Sequence, residues 1–165
     1  MSEERIFKPK ITKINHICMV VKDMDAAIKR YEDVYGIGPW IMGGEEDFKY
    51  LEGTTYVHGK QVDFKGRLAL CSALNIELEL IQPLDENSHY AEFLREHGEG
   101  MHHLMVDIDD KAEYIETVEG RGNEILFQGY VSVPPFTEKI MCTYHDARKD
   151  LGFICEIAPD PSEPI

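Results

Sequence analysis

The run HICMVVKD, from His16 to Asp23, has a counterpart later in the chain in the run HLMVDIDD, from His103 to Asp110. Each run begins with histidine and continues as an apolar segment typical of a β-strand. Each reaches an aspartate seven residues later, where apolar residues begin to recur at helical spacing. The two runs lie 103 − 16 = 87 residues apart, and they predict an internal repeat.

The ends of the two halves also match. Ile76–Ile81 reads IELELI and Phe153–Ala158 reads FICEIA, so that Glu79 and Glu156 occupy equivalent places. These glutamates lie 156 − 79 = 77 residues apart, which makes the first half ten residues longer. We expect these ten additional residues to lie within Gly43–Gly59.

Alternation, apolar runs and turn residues predict the remaining elements. The predicted strands are Ile14–Val21, Gly38–Met42, Lys65–Ser72, Asn75–Gln82, His102–Ile108, Glu124–Phe127, Lys139–Thr143 and Phe153–Ile157. The predicted helices are Asp23–Tyr35 with Asp23 as N-cap, Ser88–His97 before Gly98, and Asp110–Glu119 before Gly120. Gly43–Gly59 and Gln128–Thr137 are predicted as loops, the second a lid or rim because it contains Pro134-Pro135.

The order of elements in each half is strand, helix and three strands, with a helix connecting the halves. The sequence therefore predicts an α+β fold of two βαβββ modules, whose curled mixed sheet surrounds a cleft. The predicted divisions are an N-terminal arm (1–10), a first module (11–84), a helical connector (85–100), a second module (101–160) and a tail (161–165).

Four polar side chains stand at matched repeat positions on the first and last strands: His16, Glu79, His103 and Glu156. If each half curls its sheet, these strands direct their side chains into one concavity. Two imidazoles and two carboxylates suit a divalent transition metal, and Co, Zn, Mn, Ni and Fe are all compatible. A single strand histidine is more often a core residue, but four matched positions make coincidence a poor explanation.

Each half also contains a second residue of the same type close to the candidate ligand, and the repeat indicates which of the two is the ligand. Glu77 and Glu79 lie on the same face of a strand, so that alternation does not separate them, and the repeat selects Glu79. His102 lies on the opposite face from His103, and the match with His16 selects His103.

Composition and charge exclude several function classes. The chain has 165 residues, which suits one compact domain or two small halves, and its charge is 17 − 31 = −14. So acidic a chain offers no general basic surface for nucleic acid. No apolar run reaches the ~18 residues of a membrane span, and the charged segment Met1–Lys10 does not resemble a signal peptide.

The four cysteines are Cys18, Cys71, Cys142 and Cys155, and none forms a CxxC pair. We expect them to be buried free thiols in a cytoplasmic protein.

Several longer motifs resemble the vicinal-oxygen-chelate superfamily, which contains glyoxalase I, methylmalonyl-CoA epimerase, extradiol dioxygenases and bleomycin-resistance proteins. NHICMVVKDMDAAIKRYEDVYGIGPW resembles its first βα unit, and DARKDLGFICEIAPD resembles its last strand. ELIQPLDENSHYAEFLREHGEGMHHLMVDIDD resembles the connector and fifth strand of the methylmalonyl-CoA epimerase branch. The resemblance covers roughly Ile11 to Asp160, and the GIGPW segment is also similar to that of dihydrodaidzein racemase.

The resemblance implies paired βαβββ modules, a homodimer, and metal ligands at the four positions that the repeat selects. It also implies stabilisation of an enolate-like oxyanion by a metal acting as Lewis acid. We expect an epimerase or racemase that removes and returns a proton beside a carbonyl. Its small-molecule substrate would be methylmalonyl-CoA-like or a small ketone such as a dihydroisoflavone.

The acid–base candidates are the ligand carboxylates Glu79 and Glu156, followed by Tyr144, His145 and Asp63. His145 lies in the polar segment Thr143–Asp146, which also suits a solvated loop, and Lys139 is either a substrate anchor or an ordinary surface residue. Epimerases of this branch place a catalytic carboxylate on the strand before that of Glu79, where this chain has Leu68.

Three other functions stay open at this point. One is a glyoxalase-type lyase or a dioxygenase, although an extradiol enzyme would prefer two histidines and one carboxylate around iron. Another is a non-catalytic, ligand-sequestering resistance protein, which would usually lack the complete set of ligands. A racemase that uses the same cluster without metal is the third.

Overall fold

The structure, a computed structural model, describes residues 10–50, 54–133 and 137–158. The predicted tail (161–165), most of the predicted arm (1–10) and Pro134-Pro135 lie outside the described residues. The strands are β1 Ile11–Val20, β2 Ile41–Tyr50, β3 Tyr56–Val57, β4 Lys60–Gln61, β5 Lys65–Cys71, β6 Glu77–Pro83, β7 Gly100–Ile108, β8 Ile125–Val133, β9 Thr137–His145 and β10 Ile154–Ile157. The helices are α1 Met24–Tyr35, α2 His89–His97, α3 Lys111–Gly120 and α4 Arg148–Leu151.

All these strands form one mixed sheet in the order β2-β5-β6-β1-β7-β10-β9-β8-β3-β4. β2 also pairs with β8, so that the sheet curls until its two ends meet. Counted from the outer strands towards the centre, the first half contributes β2, β5, β6 and β1, and the second half contributes β8, β9, β10 and β7. In both halves these are the second, third, fourth and first main strands. The predicted pair of βαβββ modules in a curled mixed sheet is therefore confirmed.

The strand register shows how closely the modules repeat. In the first module β1 pairs in parallel with β6, and His16 stands opposite Glu77, two residues before Glu79. In the second module β7 pairs in parallel with β10, and His103 stands opposite Ile154, two residues before Glu156. The repeat inferred from the sequence is thus present in the backbone pairing.

The two modules meet through their first strands. β1 and β7 are antiparallel, with His16 opposite Met105 and Cys18 opposite His103. In the repeat, His16 is equivalent to His103 and Cys18 is equivalent to Met105. A local twofold relation between β1 and β7 therefore converts one of these residue pairs into the other. Both histidines therefore lie at the centre of the sheet, where the modules join.

The three main helices begin directly after the first residues of the predicted helices, which act as their N-caps. Asp23 accepts a hydrogen bond from the amide of Ala26, Ser88 from that of Ala91, and Asp110 from that of Glu113. Each cap satisfies one of the unpaired N–H groups at a helix start. Gly98 ends α2 with φ 78°, a left-handed value that favours glycine.

The predicted loops are much shorter than expected. β2 continues through Gly43 and the acidic residues after it, with a register shift against β5. β8 extends to Val133 and β9 begins at Thr137, although Gln128–Thr137 was predicted as a loop. Backbone pairing of β8 with β9 and β2 overrides the local turn signals. The extra length of the first half includes the small hairpin β3–β4, which pairs with β8.

The principal core fills the inside of the curled sheet. Buried side chains from both modules meet there, among them Cys18, Ile81, Phe127 and Ile154. All four cysteines are free and buried, as predicted. Among the described residues, no helix is both long enough and apolar enough to cross a membrane.

Candidate active site and metal centre

The four residues selected by the repeat come together at the junction of the modules. His16 and His103 lie on the central strands β1 and β7, and Glu79 and Glu156 lie on the flanking strands β6 and β10. All four side chains are buried, and one ligand atom from each lies within 4.8 Å of the others. The fold thus assembles a cluster from residues that are up to 140 positions apart (156 − 16 = 140).

The atoms of this cluster converge on a common point. The Nε2 atoms of the two histidines are 3.1 Å apart. Glu156 Oε2 lies 3.1 Å from the Nε2 of His16 and 3.0 Å from that of His103. Glu79 Oε2 lies somewhat farther away, at 3.6 and 3.4 Å from the same two atoms.

The chemistry of these atoms suits a divalent metal. In the part of the chain that the structure describes, the Oε2 atoms of Glu79 and Glu156 are buried without a hydrogen bond of good geometry, and they contact the ring nitrogens of the two histidines. Buried carboxylates with incomplete hydrogen bonding are costly, and a cation would reduce that cost. Ligand atoms ~2.0–2.2 Å from one ion are separated from each other by about 3–3.5 Å, close to the spacing seen here. His16, Glu79, His103 and Glu156 could therefore hold such an ion.

The electrostatics of the cluster show strong coupling between its acids and bases. Burial alone would lower the pKa of His16, but Glu79 and Glu156 outweigh it and raise this pKa to about 9. The pKa of His103 is raised in the same way, against its burial, by Glu156 and Glu79. Burial opposes ionisation of Glu156, yet the two histidines hold its pKa well below the usual range.

A cavity of about 320 Å³ opens beside the cluster. His16, Glu79 and Glu156 form part of its wall, together with Glu77. The rest of its described lining is mainly apolar and comes from both modules: Leu68, Leu70, Ile81, Tyr90, Met105, Val131, Val133, Ile140, Cys142 and Tyr144. The volume and lining suit the reacting part of a small organic molecule.

Two buried tyrosines that line this cavity are in contact through their hydroxyl groups. Tyr90, from α2, and Tyr144, from β9, are both buried, and their hydroxyl oxygens are 2.9 Å apart. The ring of Tyr144 also stands edge-on to His103, with 4.8 Å between the ring centroids. Burial and the nearby charge of Glu156 raise the pKa of Tyr144 well above its ordinary value, so that its hydroxyl stays protonated.

The other candidate residues take different positions. His145 is fully buried at the end of β9, beside the ring of Tyr114, and it is not part of the described cavity lining. The expectation of a solvated loop at Thr143–Asp146 is therefore wrong, because β9 continues through His145 and pairs with β10. Asp63 is exposed and also lies outside that lining. The side chain of Lys139 lies outside the described part of the chain.

Sequence reasoning missed three residues near the cluster. Tyr90 is not among the candidates that the sequence offers, and the repeat selects Glu79 over Glu77, yet both Tyr90 and Glu77 line the cavity. His102 was placed on the opposite face of its strand, but its Nδ1 lies 2.9 Å from the Nδ1 of His103. No local pattern predicts these contacts, because they depend on how α2 packs on the sheet and on side-chain rotation.

This arrangement can be compared with known proteins. A sequence profile of the glyoxalase/bleomycin resistance protein/dioxygenase superfamily matches residues 10–136. The chain belongs to this superfamily. A curated relative, the ethylmalonyl-CoA/methylmalonyl-CoA epimerase of Cereibacter sphaeroides, is 27% identical over 120 residues, which cover 72% of this chain and 78% of the relative.

Solved structures of the superfamily agree on the fold. Methylmalonyl-CoA epimerase from Mycobacterium tuberculosis superposes with a TM-score of 0.59 at 19% identity, covering 96% of this chain and 95% of that chain. A Streptomyces coelicolor methylmalonyl-CoA epimerase variant in complex with 2-nitronate-propionyl-CoA gives 0.55 at 19% identity, covering 89% and 96%. The predicted resemblance to the superfamily and its methylmalonyl-CoA epimerase branch is confirmed.

Proposed function

We propose that this protein is a metal-dependent epimerase or racemase acting at the carbon next to a carbonyl group. The observation that carries this proposal is the convergence of two imidazoles and two buried carboxylates at the wall of an apolar cavity. The epimerase of Cereibacter sphaeroides supports the reaction class. The substrate is then a small carbonyl compound, either methylmalonyl-CoA-like or a ketone such as a dihydroisoflavone.

In this proposal His16, Glu79, His103 and Glu156 hold a divalent metal. When bound, the metal supplies Lewis-acid stabilisation of the negative charge that develops on the substrate oxygen. The four side chains that would hold the ion are buried, and electrostatic stabilisation is stronger in such surroundings than in solution.

Inversion of a carbon centre requires a proton to leave one face and return to the other. Glu79 and Glu156 lie on strands that flank the central pair β1–β7 from opposite sides. We assign proton removal to Glu79, because it stands farther from the two histidines than Glu156 does. Glu156 approaches from the other side, but its lowered pKa keeps it ionised, so we assign it to holding the metal and assign the return of the proton to a water molecule at the opposite face.

The hydroxyl of Tyr144 is assigned to the substrate oxygen. Because its pKa is raised, this hydroxyl stays protonated and donates a hydrogen bond rather than acting as a base. Tyr90 accompanies it at 2.9 Å and helps to hold its orientation. A donor at this place would stabilise the oxyanion that forms when the α-proton leaves.

Deuterium wash-in tests the proposal. Methylmalonyl-CoA, a dihydroisoflavone and a hemithioacetal are incubated with the protein in D₂O, with and without chelator, and exchange beside the carbonyl is followed by mass spectrometry. We expect exchange in one substrate, its loss on chelation, and its loss in Glu79→Gln. Glu77→Gln is the matched control, since Glu77 lines the same cavity outside the metal cluster.

The other outcomes separate the alternatives. Exchange that survives chelation would remove the metal from the reaction while keeping the racemase. Conversion of the hemithioacetal to a new product would favour a glyoxalase-type lyase. Bound metal without exchange in any of the three compounds would contradict the proposed epimerase.

A further inference from the structure

His102 is a buried histidine that the proposed reaction does not use. Its Nδ1 lies 2.9 Å from the Nδ1 of His103, and the two rings stand nearly perpendicular, at 86°. Both side chains are almost completely buried. At this distance one of the two nitrogens carries the proton and the other accepts it, so the contact links the protonation patterns of both rings.

The position of His103 decides the direction of this hydrogen bond. Its Nε2 faces the cluster and lies 3.0 Å from Glu156 and 3.4 Å from Glu79. An imidazole nitrogen binds a metal through its lone pair, so Nε2 must carry no proton and Nδ1 must carry one. The Nδ1 of His102 is then the acceptor.

We propose that His102 is a positioning residue that accepts a hydrogen bond from the Nδ1–H of His103 and so holds His103 in the orientation and tautomer that bind the metal. This inference rests on the metal centre of the proposed function. Partners of this kind fix the ring of a ligand histidine and raise its basicity.

The first module lacks the same arrangement, which shows that the repeat alone does not produce it. Asn15 precedes His16 as His102 precedes His103. The side-chain amide of Asn15 donates to the carboxylate of Asp107 at 2.7 Å, away from His16. The imidazole at position 102 is therefore a feature of the second module alone.

The surroundings of His102 are mainly aromatic and offer few polar partners. Among the described residues its Nε2 makes no hydrogen bond of good geometry, and the backbone of His89 is a weaker polar contact of the ring. Its ring lies among aromatic side chains, with centroids 5.0 Å from Tyr90 and 5.1 Å from Phe93. A phenylalanine would suit these surroundings without leaving a buried polar atom unpaired.

Calorimetric titration of the metal-free protein with Zn²⁺ tests the proposal. We expect His102→Phe to weaken Zn²⁺ binding about 10- to 100-fold. His102→Asn places an oxygen acceptor near the lost Nδ1 and should restore binding to within about threefold of the original. His89→Phe is the matched control, because His89 is buried in the same aromatic cluster with neither ring nitrogen hydrogen-bonded among the described residues, and it should leave the affinity unchanged.

A second measurement does not depend on any variant. In the ¹⁵N NMR spectrum of the Zn²⁺-loaded protein, the Nδ1 of His103 should carry a proton and the Nδ1 of His102 should not. The reverse assignment would overturn the inference. Equal losses of affinity in His102→Phe, His102→Asn and His89→Phe would also overturn it, since packing alone would explain them.

The two proposals fail in different ways. If His102→Phe binds Zn²⁺ as tightly as the unchanged protein, only the role of His102 is wrong. If the unchanged protein binds no Zn²⁺ at all, the metal centre is wrong and the role of His102 falls with it. The melting temperatures of the metal-free variants show whether each of them is folded.

Discussion

The two modules supply the same ligands but different surroundings. Each provides a histidine on its first strand and a glutamate on its last strand, in the same register. Around these ligands the modules differ. Tyr144 stands opposite Glu156 in the second module, where Leu70 stands opposite Glu79 in the first. Repetition thus builds the candidate metal centre, while differences between the halves place a tyrosine beside Glu156 and a leucine beside Glu79.

The histidines show the same contrast. His103 is fully buried, with His102 and Tyr144 beside it, whereas His16 forms part of the cavity wall. The second module therefore encloses its ligand, and the first module exposes its ligand to whatever enters the cavity. This difference can be tested by changing equivalent residues in the two modules.

Substitution of either ligand glutamate by glutamine should have the largest effect, which is on Zn²⁺ affinity. Glu156 contacts both histidines at 3.0–3.1 Å, whereas Glu79 lies at 3.4–3.6 Å. We expect Glu156→Gln to weaken Zn²⁺ binding on the order of 10³-fold, since a ligand should matter more than the 10- to 100-fold typical of its outer partners. Glu79→Gln should cost less. Calorimetric titration measures both affinities, with Glu77→Gln as control, and equal losses would break the contrast.

Raising the pH should destabilise the metal-free protein. The pKa of His16 rises from 6.5 to about 9 on folding, so its protonated form contributes stability below pH 6.5 that is lost as the pH approaches 9. The pKa of Glu156 is lowered, so its contribution is present above the unfolded value of ~4.3 and is lost in stronger acid. We expect the loss of the His16 contribution alone to lower the free energy of unfolding in chelator by about 3 kcal/mol between pH 6.5 and 9.

The control for this pH dependence is His16→Gln. General repulsion among the many acidic residues also grows with pH, and it acts equally on this variant. Urea unfolding at both pH values should therefore show a smaller decrease in the variant than in the unchanged protein. A decrease of the same size in both would show that His16 is not the group responsible.

Loss of the hydroxyl at position 144 should slow the reaction without loosening the metal. Removing a donor aimed at a developing oxyanion costs up to about 10²–10³-fold in kcat, and we expect about 10- to 100-fold for Tyr144→Phe because other groups share the charge. Tyr90→Phe should cost less, since Tyr90 acts through Tyr144. Deuterium exchange rates and Zn²⁺ affinity are measured on the same samples, and a parallel loss of affinity would argue against this role.

The features that repeat were predictable from the sequence, and those that differ between the modules were not. His16, Glu79, His103 and Glu156 could be found because each has an equivalent at a matched position, and tight strand register keeps such positions together. Asp63 and His145 were not selected by the repeat, and the structure does not bring them to the described cavity.

The lengths of β2 and β8 were missed for a related reason. Acidic residues follow Gly43, and prolines follow Val133, so the local pattern predicted loops. These two strands pair with each other where the sheet closes on itself. The energy of that pairing comes from partners about 80 residues apart in sequence (131 − 50 = 81), which local propensity does not contain.

Substitution of the helix N-caps should lower the stability of the protein by the same small amount in both modules, and this is the smallest of the expected effects. Asp23 and Asp110 each accept one amide hydrogen bond at 2.9 Å, from Ala26 and Glu113. Both caps are exposed, so replacement by alanine should cost about 1 kcal/mol in either module. Urea unfolding of Asp23→Ala and Asp110→Ala measures this cost. A much larger loss in one variant would mean that its helix stabilises the sheet unequally, and that the asymmetry around the ligands extends to the scaffold.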